Sequence, residues 1–116
     1  MPLPFGEVVL IRMQFHQAAG AKVRPAVVLL DTGDDDFVAA PITSQNKHSE
    51  YDLAIHEWQS AGLNAASYIR VHKLTVLAKS EIVRRLGQLI TRDQEPLGSL
   101  LCRVFCPTVR PVRPDV

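Results

Sequence analysis

A mostly β domain finished by one C-terminal helix is the fold class the sequence predicts, and three observations carry the prediction. Apolar residues recur with period two near the N-terminus, at Val9, Ile11, Met13 and Phe15, the spacing that puts every second side chain on one face of a strand. Two apolar, β-branched runs, RPAVVLLD and FVAAPITS, flank the turn sequence TGDDD, as the arms of an antiparallel hairpin would. Near the C-terminus the period lengthens, and Leu97, Leu100, Leu101 and Val104 repeat as one face of a helix.

The first strand is expected between Gly6 and Phe15. Gln14 to Lys22 sets alanines and Gly20 among polar groups without periodicity, so it reads as a mobile loop. RPAVVLLD is apolar on both faces, as a central strand would be, with Pro25 tolerated at its start. Phe37 to Thr43 is the return strand, in which Pro41 implies an edge or a bulge. Tyr51, Leu53 and Ile55 alternate as a fourth strand, followed by a turn segment from His56 to Leu63 around a core Trp58. From Ser67 the period is again two, with Tyr68, Arg70 and His72 on one face and Ile69 and Val71 on the other. Leu74 to Ala78 continues the sheet. Ile82 to Ile90 fits helix or strand, and Gly87 with the β-branched pair favours strand. Thr91 and Gln94 have the spacing of a capping box, while Pro96 suits a helix beginning near Glu95 better than one beginning at Arg92.

The chain has 116 residues, room for one domain. Its extent is expected to be residues 1–106, with a Pro/Arg-rich extended tail over 107–116. Apolar residues at 47% and charged residues at 22% are ordinary for a globular domain. No apolar stretch approaches the roughly 20 residues that span a bilayer, so no membrane role is expected and the cytoplasm is the default compartment. Cys102 and Cys106 fit a reducing compartment and are expected to pack as small apolar groups, since two thiols do not make a zinc site. His16, His48 and His56 are too scattered for metal ligation, and Asp34 to Asp36 lack the remaining spacing of a calcium loop, so no metal is expected. The net charge of +1 hides an asymmetry. Residues 1–66 carry 4 Lys and Arg against 8 Asp and Glu, and residues 67–116 carry 9 against 4. A basic second half is compatible with a polyanion held on one face, although a solvated face is the commoner cause of so modest an excess.

The hairpin supplies the most useful geometry. If Thr32 to Asp36 is its loop, Asp31 faces Phe37, paired positions sum to about 68, and Arg24 falls opposite Ser44 or its neighbour Thr43. A guanidinium fork then meets one or two hydroxyls at one end of the sheet. That combination suits phosphate.

These residues resemble the PemK/MazF/Kid toxins of bacterial toxin-antitoxin systems. The resemblance runs through Gly6-Glu7-Val8, Arg24-Pro25-Ala26-Val27-Val28, Ala40-Pro41-Ile42-Thr43-Ser44, Arg70, Arg85-Leu86-Gly87 and the final helix. It implies an SH3-like antiparallel barrel that forms a homodimer, cuts single-stranded RNA at a short sequence without a metal or other cofactor, and is neutralised by a small acidic antitoxin. The family's active-site arginine falls on Arg24 and its threonine on Thr43. An arginine followed two residues later by an aspartate also acts in some members; Arg70 matches the arginine, and His72 stands in the aspartate's place. His72 is thus the candidate acid or base, open as well to a structural reading. Ser44, Arg70, His16 and Lys22 complete the expected substrate contacts. The alternative function is a barrel of this fold that grips a protein, as gyrase-poisoning toxins do, or that binds RNA without cutting it.

Overall fold

The computed structural model describes residues 2–14, 21–109 and 111–112. Among the described residues seven strands precede one α-helix: β1 Glu7–Gln14, β2 Ala21–Leu30, β3 Asp36–Thr43, β4 Asp52–Ala54, β5 Tyr68–Arg70, β6 Thr75–Ala78, β7 Ile82–Gln88 and α1 Thr91–Phe105. Every ladder is antiparallel. The order across the sheet is β4-β5-β3-β2-β1-β7, with β6 also paired to β3. Ala21 and Lys22, expected in a loop, belong to β2, while Phe15 and the centre of that loop, His16 and Gln17 included, lie outside the described residues.

Pro41 lies in an interior strand rather than at an edge. β3 is flanked by β2 on one side, and on the other it changes partner from β6 at Ala39↔Thr75 to β5 at Ile42↔Ile69. Pro41 falls in that interval, where a missing N–H is best tolerated. A second departure follows β5. The strand ends at Arg70, and Val71–Lys73 form a 3₁₀ turn, so Arg70 and His72 do not share the strand face that alternation predicts.

Strands β1 to β3 are buried on both faces. On one, Val8, Val27, Ala40, Ile42 and Ile69 pack with Leu97 and Leu100 of α1. On the other, Val9, Ile11, Met13, Ala26, Val28, Phe37 and Ala39 form a second cluster with Leu3. β1 is therefore apolar on both faces over Val8 and Val9, where simple alternation predicts one. Leu101 and Val104 complete the inner face of α1, and Trp58 packs half-buried against the same cluster. Cys102 and Cys106 are free and exposed, in contrast to the packed positions expected of them; the heptad-like spacing of the leucines turns both outward.

α1 begins at Thr91, earlier than Pro96 suggested, and Pro96 sits inside it. Pro96 has no N–H to donate to the carbonyl of Arg92, an exposed residue of the first turn, so one intrahelical bond is missing there. The Thr91–Gln94 capping box does not form, because Thr91 is already helical and extended Ile90 precedes it. Gln94 Nε2 instead donates to the Leu89 carbonyl at 2.7 Å. Asp93 is buried, and its two carboxylate oxygens accept the His56 and Glu57 N–H groups at 2.8 and 2.9 Å. The helix start is thereby tied to the segment after β4.

No ladder among the described residues joins β7 to β4 or β6, so the expected barrel is not closed by hydrogen bonds. The segment after β4 presses its backbone directly on β7 instead. A Cβ at Gly62 would lie 2.3 Å from the Leu86 carbonyl oxygen, and one at Gly87 would lie 2.7 Å from the Ala61 carbonyl. Gly62 also has φ +83°, a conformation side chains disfavour. At the opposite end Asp31 holds three things together: Lys79 Nζ at 2.8 Å, the Gly33 N–H at 2.8 Å and the Leu3 N–H at 2.8 Å.

Two stability predictions follow from these contacts. Gly62→Ala is expected to cost about 1–3 kcal/mol from its φ alone and more from the contact with Leu86. Gly33→Ala, with φ +94° but nothing within 4 Å of its added Cβ, should show only the conformational part in denaturant unfolding. The Lys79 ammonium and the two backbone donors hold Asp31 at about 2, below its usual 3.8. A carboxylate depressed on folding stabilises above its unfolded pKa and loses that contribution as pH falls through its folded one. The melting-temperature gap between wild type and Asp31→Asn should therefore be full at neutral pH, shrink below about pH 4 and be gone near pH 2.

Candidate nucleic-acid cleft

The β2–β3 register decides which side chains meet. Pairs nearest the hairpin loop, such as Leu30↔Val38, sum to 68, but a bulge between Val28 and Leu30 absorbs one residue. From Val28↔Ala39 through Ala26↔Pro41 the sum is 67. Carried two residues further, this register sets Arg24 across from Thr43, the nearer of the two expected hydroxyls. Arg24, Thr43 and Ser44 all line one cleft of about 970 Å³, together with Lys22 and Arg70.

Thr43 closes a tight turn, its Oγ1 accepting the Gln45 N–H at 3.1 Å. The hydroxyl keeps its own proton and a second lone pair, so a turn-forming role and a substrate-facing one are compatible. Ser44 and Lys22 are exposed at the rim. Arg70 Nε donates to Asp52 Oδ1 at 3.2 Å, with its side chain 24% exposed and that of Asp52 only 3%.

Three further cations line the cleft that sequence reasoning had not placed there: Lys47, Lys73 and Arg84. Arg84 pairs across from Leu10, itself a lining residue, whereas Arg85 turns to the carboxylate of Glu7. The alternation of Arg84 and Arg85 was the available signal for that split. Lys47 and Lys73 come from a loop and a 3₁₀ turn, where no period marks a side chain's direction. Lys22, Arg24, Lys47, Arg70, Lys73 and Arg84 thus surround a floor of Leu10, Met13, Pro25, Pro41, Ile42, Leu63 and Leu86, with Gln45, Asn64 and Ser67 among the polar groups. Among the described residues no carboxylate and no aromatic ring lines it. A row of cations above an aliphatic floor suits an anionic backbone whose sugars and bases lie against apolar surface.

His72 lies outside this lining. Its ring packs on Tyr51 with centroids 5.2 Å apart, and its Nδ1 is buried with no hydrogen-bond partner. Burial, followed by the charges of Arg70 and Lys73, lowers its pKa below the usual 6.5, against an opposing pull from Asp52. Burial and the two cations favour the neutral imidazole. Among the described residues no group of three or more His, Cys, Asp or Glu is arranged to hold a metal ion, and no helix is long and apolar enough to cross a membrane.

Residues 5–105 match the family described as PemK-like, MazF-like toxin of type II toxin-antitoxin system. No curated protein matches the chain in sequence. Among solved structures, Mycobacterium tuberculosis toxin MazF-mt6 aligns with a TM-score of 0.72 over 89% of this chain and 99% of its own, at 16% identity. An endoribonuclease from mycobacterial species, solved in complex with its cognate antitoxin, aligns with a TM-score of 0.72 over 95% and 100%, at 18% identity. MazF from Deinococcus radiodurans gives 0.67 over 91% and 97%, at 19% identity. At such identities the likeness to these structures is one of fold, while the family match spans both strands of the hairpin, the cleft and the helix. The chain belongs to the PemK-like, MazF-like toxin family of type II toxin-antitoxin systems.

Proposed function

We propose that the protein is the toxin of such a system and acts as a sequence-specific endoribonuclease on single-stranded RNA, without a metal ion. The observation that supports this reading is the cleft: six cations, aliphatic side chains and no described carboxylate among its lining residues, with Arg24 and Thr43 both among them. In the reaction a ribose 2′-hydroxyl attacks its own phosphorus in line, the 5′-oxygen leaves, and the proton lost by the nucleophile is balanced by one gained by the leaving oxygen. The products are a 2′,3′-cyclic phosphate and a 5′-hydroxyl. Arg24 neutralises the charge gathering on the phosphorane. An arginine guanidinium keeps its proton in proteins and is a poor base, so its part is transition-state stabilisation. Thr43 orients the 2′-hydroxyl or the phosphate, Ser44 assists it, and Arg70 and Lys22 hold flanking phosphates. His16, outside the described residues, is proposed from the family resemblance as a further substrate contact.

The same reading makes the active species a homodimer in the cytoplasm, inhibited by a short acidic antitoxin whose extended segment occupies the cationic cleft. The structural neighbour solved with its cognate antitoxin supports such a partner. A second reading, RNA binding without cleavage, is favoured by one feature: no imidazole or carboxylate is found among the described lining residues.

Incubation with a mixed RNA pool and a chelator separates the two. The expected result is cleavage with cyclic-phosphate ends and a loss of about 100-fold or more for Arg24→Ala, the scale of removing an oxyanion donor; retention of intact RNA selects the second reading. If each of the six cations neutralises one phosphate, the logarithm of affinity should fall with the logarithm of salt at a slope near −4, from about 0.7 per phosphate on a single strand. Because His72 lies outside the lining, His72→Ala is expected to leave the pH profile of cleavage unchanged. A profile flattened near neutrality would assign proton transfer to it.

A further inference from the structure

The side chain of Asp52 is only 3% exposed and lies directly across the β4–β5 ladder from a cleft residue. The pair Asp52↔Arg70 sits opposite in register, which turns both side chains to the same face of the two strands. One oxygen, Oδ1, accepts from Arg70 Nε at 3.2 Å. The other, Oδ2, is buried without a hydrogen-bond partner. A carboxylate placed in this way is a burden on stability, since burial of an ion is repaid only when its lone pairs are fully satisfied. Its benefit is geometric. The printed contact uses Nε, so it does not consume the N–H groups of Nη1 and Nη2 at the guanidinium's end, and Arg70 lines the cleft. Those two nitrogens form the fork that meets phosphate oxygens.

We propose that Asp52 is a positioning residue, which fixes the Arg70 guanidinium by its Nε so that both terminal nitrogens face an RNA phosphate in the cleft. This rests on the reading of the cleft as an RNA site. β4 is only three residues long, yet it supplies the carboxylate that orders the cation of its neighbour. Lysine cannot replace Arg70 in this arrangement: a single ammonium has no separate face for the anchor and for the phosphate.

The test is a double-mutant cycle on a labelled single-stranded RNA of mixed sequence, with melting temperatures recorded for each protein. Asp52→Asn is expected to weaken binding or kcat/KM about 10–100-fold in the wild-type background, the scale of a small misplacement of a contact group. In the Arg70→Ala background the same change is expected to do less than about twofold, because its only route is removed. Arg70→Lys should fall close to Arg70→Ala. Equal losses in both backgrounds, or no loss in either, overturn the proposal. A second measurement needs neither a variant nor RNA. In the free protein, the Arg70 Nε–H should exchange with water about tenfold or more slowly than that of Arg92, whose side chain is 67% exposed; equal rates refute the anchor. Should wild type fail to bind RNA while Arg70 is protected, the anchor stands and the RNA reading falls.

Discussion

The register of β2 on β3 is the constraint on which the rest of the molecule depends. Side chains alternate along a strand, so a slip of one residue would move every core residue of the central hairpin to the opposite face of the sheet. Val27 and Ala40 would leave the helix-facing cluster, and Ala26, Val28, Phe37 and Ala39 would leave the other. The same register brings Arg24 level with Thr43 at the cleft end. Two features pin it. A five-residue loop over 31–35 joins the strands, and the bulge between Val28 and Leu30 takes up one residue before the cleft is reached. The carboxylate of Asp31 secures the base of that loop through Lys79 and the N–H groups of Leu3 and Gly33.

Charge is sorted as strictly as hydrophobicity. The acidic residues of the first half do not cancel the cleft. Glu7 is taken by Arg85, Asp31 by Lys79, and Asp52 holds Arg70 from the side away from the lining. The aspartates of the hairpin tip lie exposed in the loop, where Asp34 caps the Asp36 N–H at 3.0 Å. Six cations, Arg70 in its pair with Asp52 among them, line one cleft of a chain whose net charge is +1. A near-neutral protein can present a polyanion site because opposite charges sit on different faces and in different contacts, and the potential that steers a ligand is local.

Closure of the sheet rests on small residues more than on hydrogen bonds. Gly62 and Gly87 let the segment after β4 touch the backbone of β7, and the buried Asp93 fastens that segment to the start of α1. Gly62, Leu63 and Asn64 of this segment and Leu86 of β7 then form one wall of the cleft. The wall and the helix that supports it are set by the same contacts, which links the stability of the C-terminal half to the shape of the site.

The sequence by itself determined the central hairpin and the amphipathic helix, because each is written in local periodicity and a loop of countable length. Leu97, Leu100, Leu101 and Val104 face the core as their spacing predicts. Local pattern did not contain the end of β5 at Arg70, which removes His72 from that strand face; a 3₁₀ turn begins there with no glycine or proline to mark it. Nor did it contain the cleft positions of Lys47 and Lys73, or Asp52 as the partner of Arg70, 18 residues away. Thr43 was separated from Ser44 only by a bulge that shifts the register by one. Those features belong to the tertiary structure, since they depend on contacts between segments far apart in the chain, and alternation reports direction only while a strand continues.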